Sequence, residues 1–156
     1  MNYNRLKKRT VIIAMGCLLI FLSLNNARGS DWVVFGKDVL GNNWFYDKDS
    51  VLNVSKEIIK VWTKTVVSDE GRAQLINEYN KGDVPTTGYG SLSVKEDLWF
   101  ISCEDKKYKI TQSTLYASHG RVLSATNYDD SWIDINKSSM IRVLMKELCK
   151  KPSNSK

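Results

Sequence analysis

The chain has 156 residues, 42% of them hydrophobic, and a formal charge of +6 from 23 basic and 17 acidic side chains. Five of the basic residues and none of the acidic ones lie within residues 1–29, so the rest of the chain carries 18 basic against 17 acidic groups. A nearly neutral chain with no basic stripe excludes binding driven by phosphate neutralisation, and so excludes a nucleic-acid partner.

Residues 1–29 read as a targeting segment. Arg5, Lys7, Lys8 and Arg9 precede an apolar run over 11–24, and Ala27-Arg28-Gly29 places small residues ahead of Ser30. This order predicts a secretory signal peptide cut between Gly29 and Ser30. The 14-residue run is short for a membrane span, which needs roughly 20 residues. Ala14-Met15-Gly16-Cys17 is the only lipobox-like string, and membrane attachment would follow only from lipidation at Cys17. Residues 30–156 then form a single domain with one modest core.

Residues 31–37 and 43–47 read as strands, rich in aromatic and β-branched side chains, around a turn at 38–42. Asp47-Lys48-Asp49-Ser50 reads as a solvated turn, since the Gly and Glu of a calcium-binding loop are missing. The strand over 57–67 is the clearest in the chain. Ile59, Val61, Thr63, Thr65 and Val67 share a face suited to the core. Ile58, Lys60, Trp62, Lys64 and Val66 share the other, where lysines interleave with apolar groups. That composition makes Lys60, Trp62 and Lys64 the candidate partner-binding face, because tryptophan is enriched where interfaces concentrate their energy. Packing of Trp62 beneath lysine stems is the alternative.

Residues 68–83 suit either a short helix or a ragged strand, with Ala73, Leu75, Ile76 and Tyr79 as apolar positions. A loop over 84–91, marked by Pro85, Gly88 and Gly90, leads to a strand over 92–103. The stretches 108–118 and 121–127 read as a hairpin turning at His119-Gly120. A two-residue connection sets Tyr116 opposite Leu123 and Ala117 opposite Val122, and apolar groups on both faces suggest a central hairpin. Trp132-Ile133-Asp134-Ile135 leads to a last helix with Ser138 as its N-cap. Ile141, Leu144, Met145 and Leu148 form its apolar stripe, with Cys149 at the edge and Pro152 beyond the end.

Of three cysteines, Cys17 leaves with the signal peptide. Cys103 and Cys149 remain as an even pair in an oxidising compartment and are expected to form a disulfide. Closing a loop of about 45 residues would stabilise the fold by roughly 4 kcal/mol on the chain-entropy account. Two buried free thiols are the alternative. A metal site has little support without a CxxC pair or a second histidine.

Catalytic signatures are missing. His119 is the lone histidine and sits at a turn; no GxSxG string supplies a nucleophile for it to activate. Asp129, Asp130 and Asp134 flank a turn and read as solvated carboxylates rather than an acid–base pair. No CxxCH attachment site marks a haem. The chain is therefore read as a non-enzyme with no catalytic residue, no metal and no cofactor.

Trp32, Gly41-Asn42, Tyr46-Asp47, Lys60-Val61-Trp62, Cys103, Tyr108-Lys109-Ile110, Tyr116, Gly120-Arg121-Val122-Leu123, Trp132, Ile135, Ser138, Leu144 and Cys149 occur in an order that resembles surface-adhesin protein E of Gram-negative bacteria. The resemblance spans nearly all of 31–150. It implies an α+β fold: one antiparallel sheet of about six strands, with the C-terminal helix packed on one face and disulfide-linked to it. It also implies an exported, adhesin-like envelope protein of the periplasm or cell surface. The partner would be another protein, either a host matrix protein such as laminin or vitronectin or an envelope component, and a homodimer is a further arrangement. No ligand-contact residue carries over by motif. The rival functions are a periplasmic carrier of a small apolar ligand such as haem, in a cavity lined by Leu144, Met145 and Leu148, and a structural envelope component.

Overall fold

The computed structural model describes residues 30–129 and 131–150. The expected signal peptide, the cut after Gly29 and lipidation at Cys17 lie outside the described residues. In chain order the elements are β1 (Trp32–Lys37), β2 (Asn43–Asp47), β3 (Leu52–Asn53), β4 (Ile58–Val66), α1 (Asp69–Lys81), β5 (Leu92–Ser102), β6 (Lys107–Ala117), β7 (Val122–Asn127), β8 (Ile133–Asp134) and α2 (Met140–Leu148).

Six strands form one antiparallel sheet in the order β1-β2-β4-β5-β6-β7. The expectation of about six strands is corrected to eight, because β3 pairs with β4 and β8 pairs with β6. The physical reason lies in the unequal strand lengths. β2 covers β4 only from Thr63 to Val66, and β3 then takes up Ile59 and Lys60. Likewise β7 covers Gln112 to Tyr116, and β8 continues at Lys107 and Tyr108. Each short strand satisfies backbone groups that would otherwise lie unpaired along a half-covered strand.

There are also two helices where the sequence reading commits to one. Residues 69–81 are helical, with Ser68 as N-cap. The Ser68 hydroxyl accepts from Gly71 N–H at 2.9 Å and donates to Leu40 O at 2.6 Å, while Ser68 N–H donates to Asn42 Oδ1 at 2.8 Å. Asp69 and Glu70 then occupy the first turn, where carboxylates complement the helix dipole. These tertiary bonds decide a segment whose own hydrophobic pattern is weak.

Both helices pack on the same face of the sheet, here called the inner face. At one end Ile141, Leu144 and Met145 of α2 meet Tyr46, Val61, Trp99 and Ile101. At the other, Leu75, Ile76 and Tyr79 of α1 meet Tyr89, Leu92 and Leu115. Of the inward set expected on β4, Ile59, Val61, Thr63 and Thr65 are buried, while Val67 lies one residue past the strand and is half-buried against the cluster at Tyr89, Leu92 and Leu115. Between the two clusters runs a polar belt of Thr63, Thr65, Lys95, Asp97 and Ser113. Asp97 is 1% exposed and pairs with Lys95 Nζ at 3.0 Å. Burial works against the Lys95 charge, but Asp97 outweighs it and holds the lysine pKa above its ordinary value.

The Cys103–Cys149 disulfide is present, with a Cα–Cα distance of 5.6 Å, and ties the end of α2 to the turn after β5. Other expectations are corrected. The N-cap of α2 is Ser139, not Ser138, which instead donates its N–H and hydroxyl to Asn136 Oδ1. The β6–β7 connection runs through Ser118, His119 and Gly120, with Gly120 at φ +75°. That longer turn and a bulge beside Leu115 place Tyr116 opposite Val122 and Leu115 opposite Ser124. The hairpin is also not central: β7 is one of the sheet's two outermost strands in the order β1 to β7. Asp47, expected to be solvated, is buried and accepts from the N–H groups of Asp31 and Asp49.

Candidate functional site: a cation-bearing aromatic sheet face

Strand alternation sends every second side chain to the face opposite the helices. The cross-strand register therefore determines the neighbours on that outer face. Lys60 stands opposite Phe100, and Phe100 opposite Lys109, giving a transverse row across β4, β5 and β6. Both ammonium groups lie over the Phe100 ring, at 5.9 Å for Lys60 and 5.5 Å for Lys109. Lys109 also lies 5.4 Å from the ring of Trp132. A second group forms four residues along β4. Lys64 stands opposite Phe45 and lies 5.5 Å from its ring, and 4.1 Å from the ring of Trp32. Each such cation–ring contact contributes about 0.5–1 kcal/mol on an exposed surface. Together they hold long lysine stems in defined positions.

Burial against these rings lowers the Lys64 pKa below its ordinary value, with the Glu96 and Asp47 carboxylates pulling the other way. Glu96 faces Lys64 from β5 and also lies beside Tyr116. Tyr116 holds its proton above the usual range, first because it is partly buried and then because of Glu96.

Lys60, Trp62 and Lys64 thus lie on the helix-free face, half-buried, in the alternation read from sequence. Trp62 stands opposite Leu98, itself buried on this face, so part of the indole's role is packing. Trp32, Phe45, Phe100, Lys109 and Trp132 were not placed on this face from the sequence. Their alternation marks a face of each strand, but only the register of five pairings brings them together.

The remaining features place less chemistry together. His119 is exposed in the β6–β7 turn, and Asp129 and Asp134 are exposed; Asp130 lies outside the described residues. Among the described residues no group of three or more His, Cys, Asp or Glu side chains converges as a metal site. No described helix is long and apolar enough to cross a membrane. The stripe considered for an apolar ligand splits in two. Leu144 and Met145 are buried against Trp99 and Ile101. Leu148 is only partly buried against the same cluster and also lines an open cavity of about 590 Å³ beside the disulfide, shared with Lys56, Glu57, Glu104 and Lys150.

An antiparallel sheet stapled to its terminal helix, with helices on one face and cation-bearing rings on the other, defines a small disulfide-bonded α+β domain with an open sheet face. The chain matches the surface-adhesin protein E family model over residues 32–150, and it belongs to that family. No curated protein and no solved structure matches it.

Proposed function

We propose that this is an exported, non-enzymatic protein-binding module of the bacterial envelope that engages its partner through the outer sheet face at Lys60, Trp62 and Lys64. The observation that carries this reading is the placement of both helices on one side. The opposite face is left with three lysines, Trp62 and four further aromatic rings, and neither helix packs over it. Membership of a surface-adhesin family supports a protein partner, and the disulfide supports an oxidising compartment. The partner is either a host matrix protein or another envelope component.

The test places a photo-crosslinking amino acid at position 62 of the exported protein and compares partner capture with that of Trp62→Ala. The reading expects a crosslinked protein adduct, and a Trp62→Ala variant that melts like the parent but loses association with the same partner or with a second copy of the chain. Unchanged association in a Trp62→Ala variant of parental stability would sink it.

A further inference from the structure

The charge pattern on the outer face names the chemistry of what docks there. Resting on the reading of this face as the partner surface, we propose that it receives an acidic, extended polypeptide segment whose carboxylates seat on Lys60, Lys64 and Lys109 while its chain lies across the intervening rings.

Three observations converge on an acidic partner. Among the described residues, Lys60, Lys64 and Lys109 make no side-chain ion pair, although the Glu96 and Asp47 carboxylates lie close enough to Lys64 to favour its charge. Of the nearby acids, Asp47 is buried and accepts from two backbone N–H groups, and Glu96 is shared between Lys64 and Tyr116, whereas Lys60 and Lys109 both stand opposite Phe100. The lysine stems are also held over Phe100, Phe45, Trp32 and Trp132, so an arriving carboxylate meets cations whose side-chain freedom is already reduced. A neutral or basic segment would cover Lys60 and Lys109 without supplying a counter-charge, which costs more than the ring contacts return.

The spacing suits a polypeptide in extended form. Lys60 and Lys64 are four residues apart on one strand, a separation of roughly 13 Å. Carboxylates at i and i+4 of an extended segment have that same spacing and the same facing. Lys109, two strands away across Phe100, adds a cation about 9–10 Å to the side.

The experiment uses the exported protein with its disulfide intact and a dye-labelled decaglutamate as probe, read by fluorescence anisotropy at low salt. The expected result is saturable binding that weakens steeply as salt rises, with quenching of intrinsic tryptophan emission. The triple variant Lys60→Gln/Lys64→Gln/Lys109→Gln should lose about tenfold or more in affinity, the size expected for three surface ion pairs. The corresponding triple arginine variant should retain binding. Replacing Lys56 and Lys81, which lie elsewhere, should leave it unchanged. Parent-like affinity in the triple glutamine variant overturns the proposal, as does failure of decaglutamate to bind. Tighter capture of a sulfated heparin fragment of equal charge, with the same lysine dependence, assigns the face to a glycan and likewise overturns it. Trp62-dependent partner capture that is indifferent to the three lysines overturns the acidic partner but leaves the partner face standing. Loss of both effects removes the two together.

Discussion

Replacing both Cys103 and Cys149 by serine tests the covalent closure on which the α2 cluster depends. The bond spans a sequence separation of 46 residues. On the chain-entropy account, opening such a loop restores to the unfolded chain freedom equivalent to roughly 4 kcal/mol. A domain of this kind is stabilised in total by only about 5–15 kcal/mol, so the loss is a large share. For about 120 ordered residues the unfolding entropy is near 0.25 kcal/mol/K, and the melting temperature should fall by roughly 15 °C. The damage should begin at α2. It has nine residues, makes no side-chain hydrogen bond at its N-cap, and buries only Ile141, Leu144 and Met145. A helix this short does not persist by itself. Thermal circular dichroism of the double variant gives the shift, and amide hydrogen exchange should show residues 142–148 losing protection first. A melting temperature within about 4 °C of the parent, with α2 protection unchanged, would refute the reasoning.

Three further outcomes follow from the inner face and from the titrating groups. Asp97→Asn removes the buried counter-charge of a half-buried lysine and should destabilise by about 2–4 kcal/mol in urea titration, whereas Lys95→Leu/Asp97→Leu should recover most of that loss. Gly71→Ala should also destabilise, by about 1–3 kcal/mol in the same assay, even though alanine favours a helix. The added methyl would collide with the Asn42 carboxamide, which anchors Ser68 N–H. The third concerns alkaline pH. Burial raises the folded pKa of Tyr79 and Tyr116 above 10.0; for Lys95 burial works downward, but Asp97 prevails and raises it above 10.5. The folded state therefore holds these protons more tightly than the unfolded state. Their contribution is complete below about pH 10 and is lost as pH rises through the folded values. Lys64, its pKa lowered chiefly by burial, acts in the opposite sense, and Lys64→Gln should steepen the alkaline loss measured by melts across pH 9–12.

Much of the architecture was legible in residue order. The period-two pattern of β4 separates its buried threonines and aliphatics from its lysines without any coordinates. The Ile141, Leu144, Met145 stripe locates the packed side of α2, and the pairing of Cys103 with Cys149 was expected from their number. α1 was not legible because Leu75, Ile76 and Tyr79 are its main apolar groups. Its position depends on the Ser68 cap bonding Leu40 and on Asn42 bonding Ser68, partners 26 to 28 residues away. The β6–β7 register was misread because Gly120 closes a longer turn than a two-residue connection, and the adjacent bulge shifts the pairing again.

The candidate site divides along the same line. Lys60, Trp62 and Lys64 share one face of one strand, and local alternation is enough to show it. That Lys60 and Lys109 share the Phe100 ring, 49 residues apart in the chain, depends on which strands become neighbours and in what register. Periodicity acts between residues i and i+2, so sequence alone determines what each strand presents. Strand order comes from long-range pairing and the burial of both helices on one side, and only the tertiary structure could turn separate lysines and rings into a continuous surface.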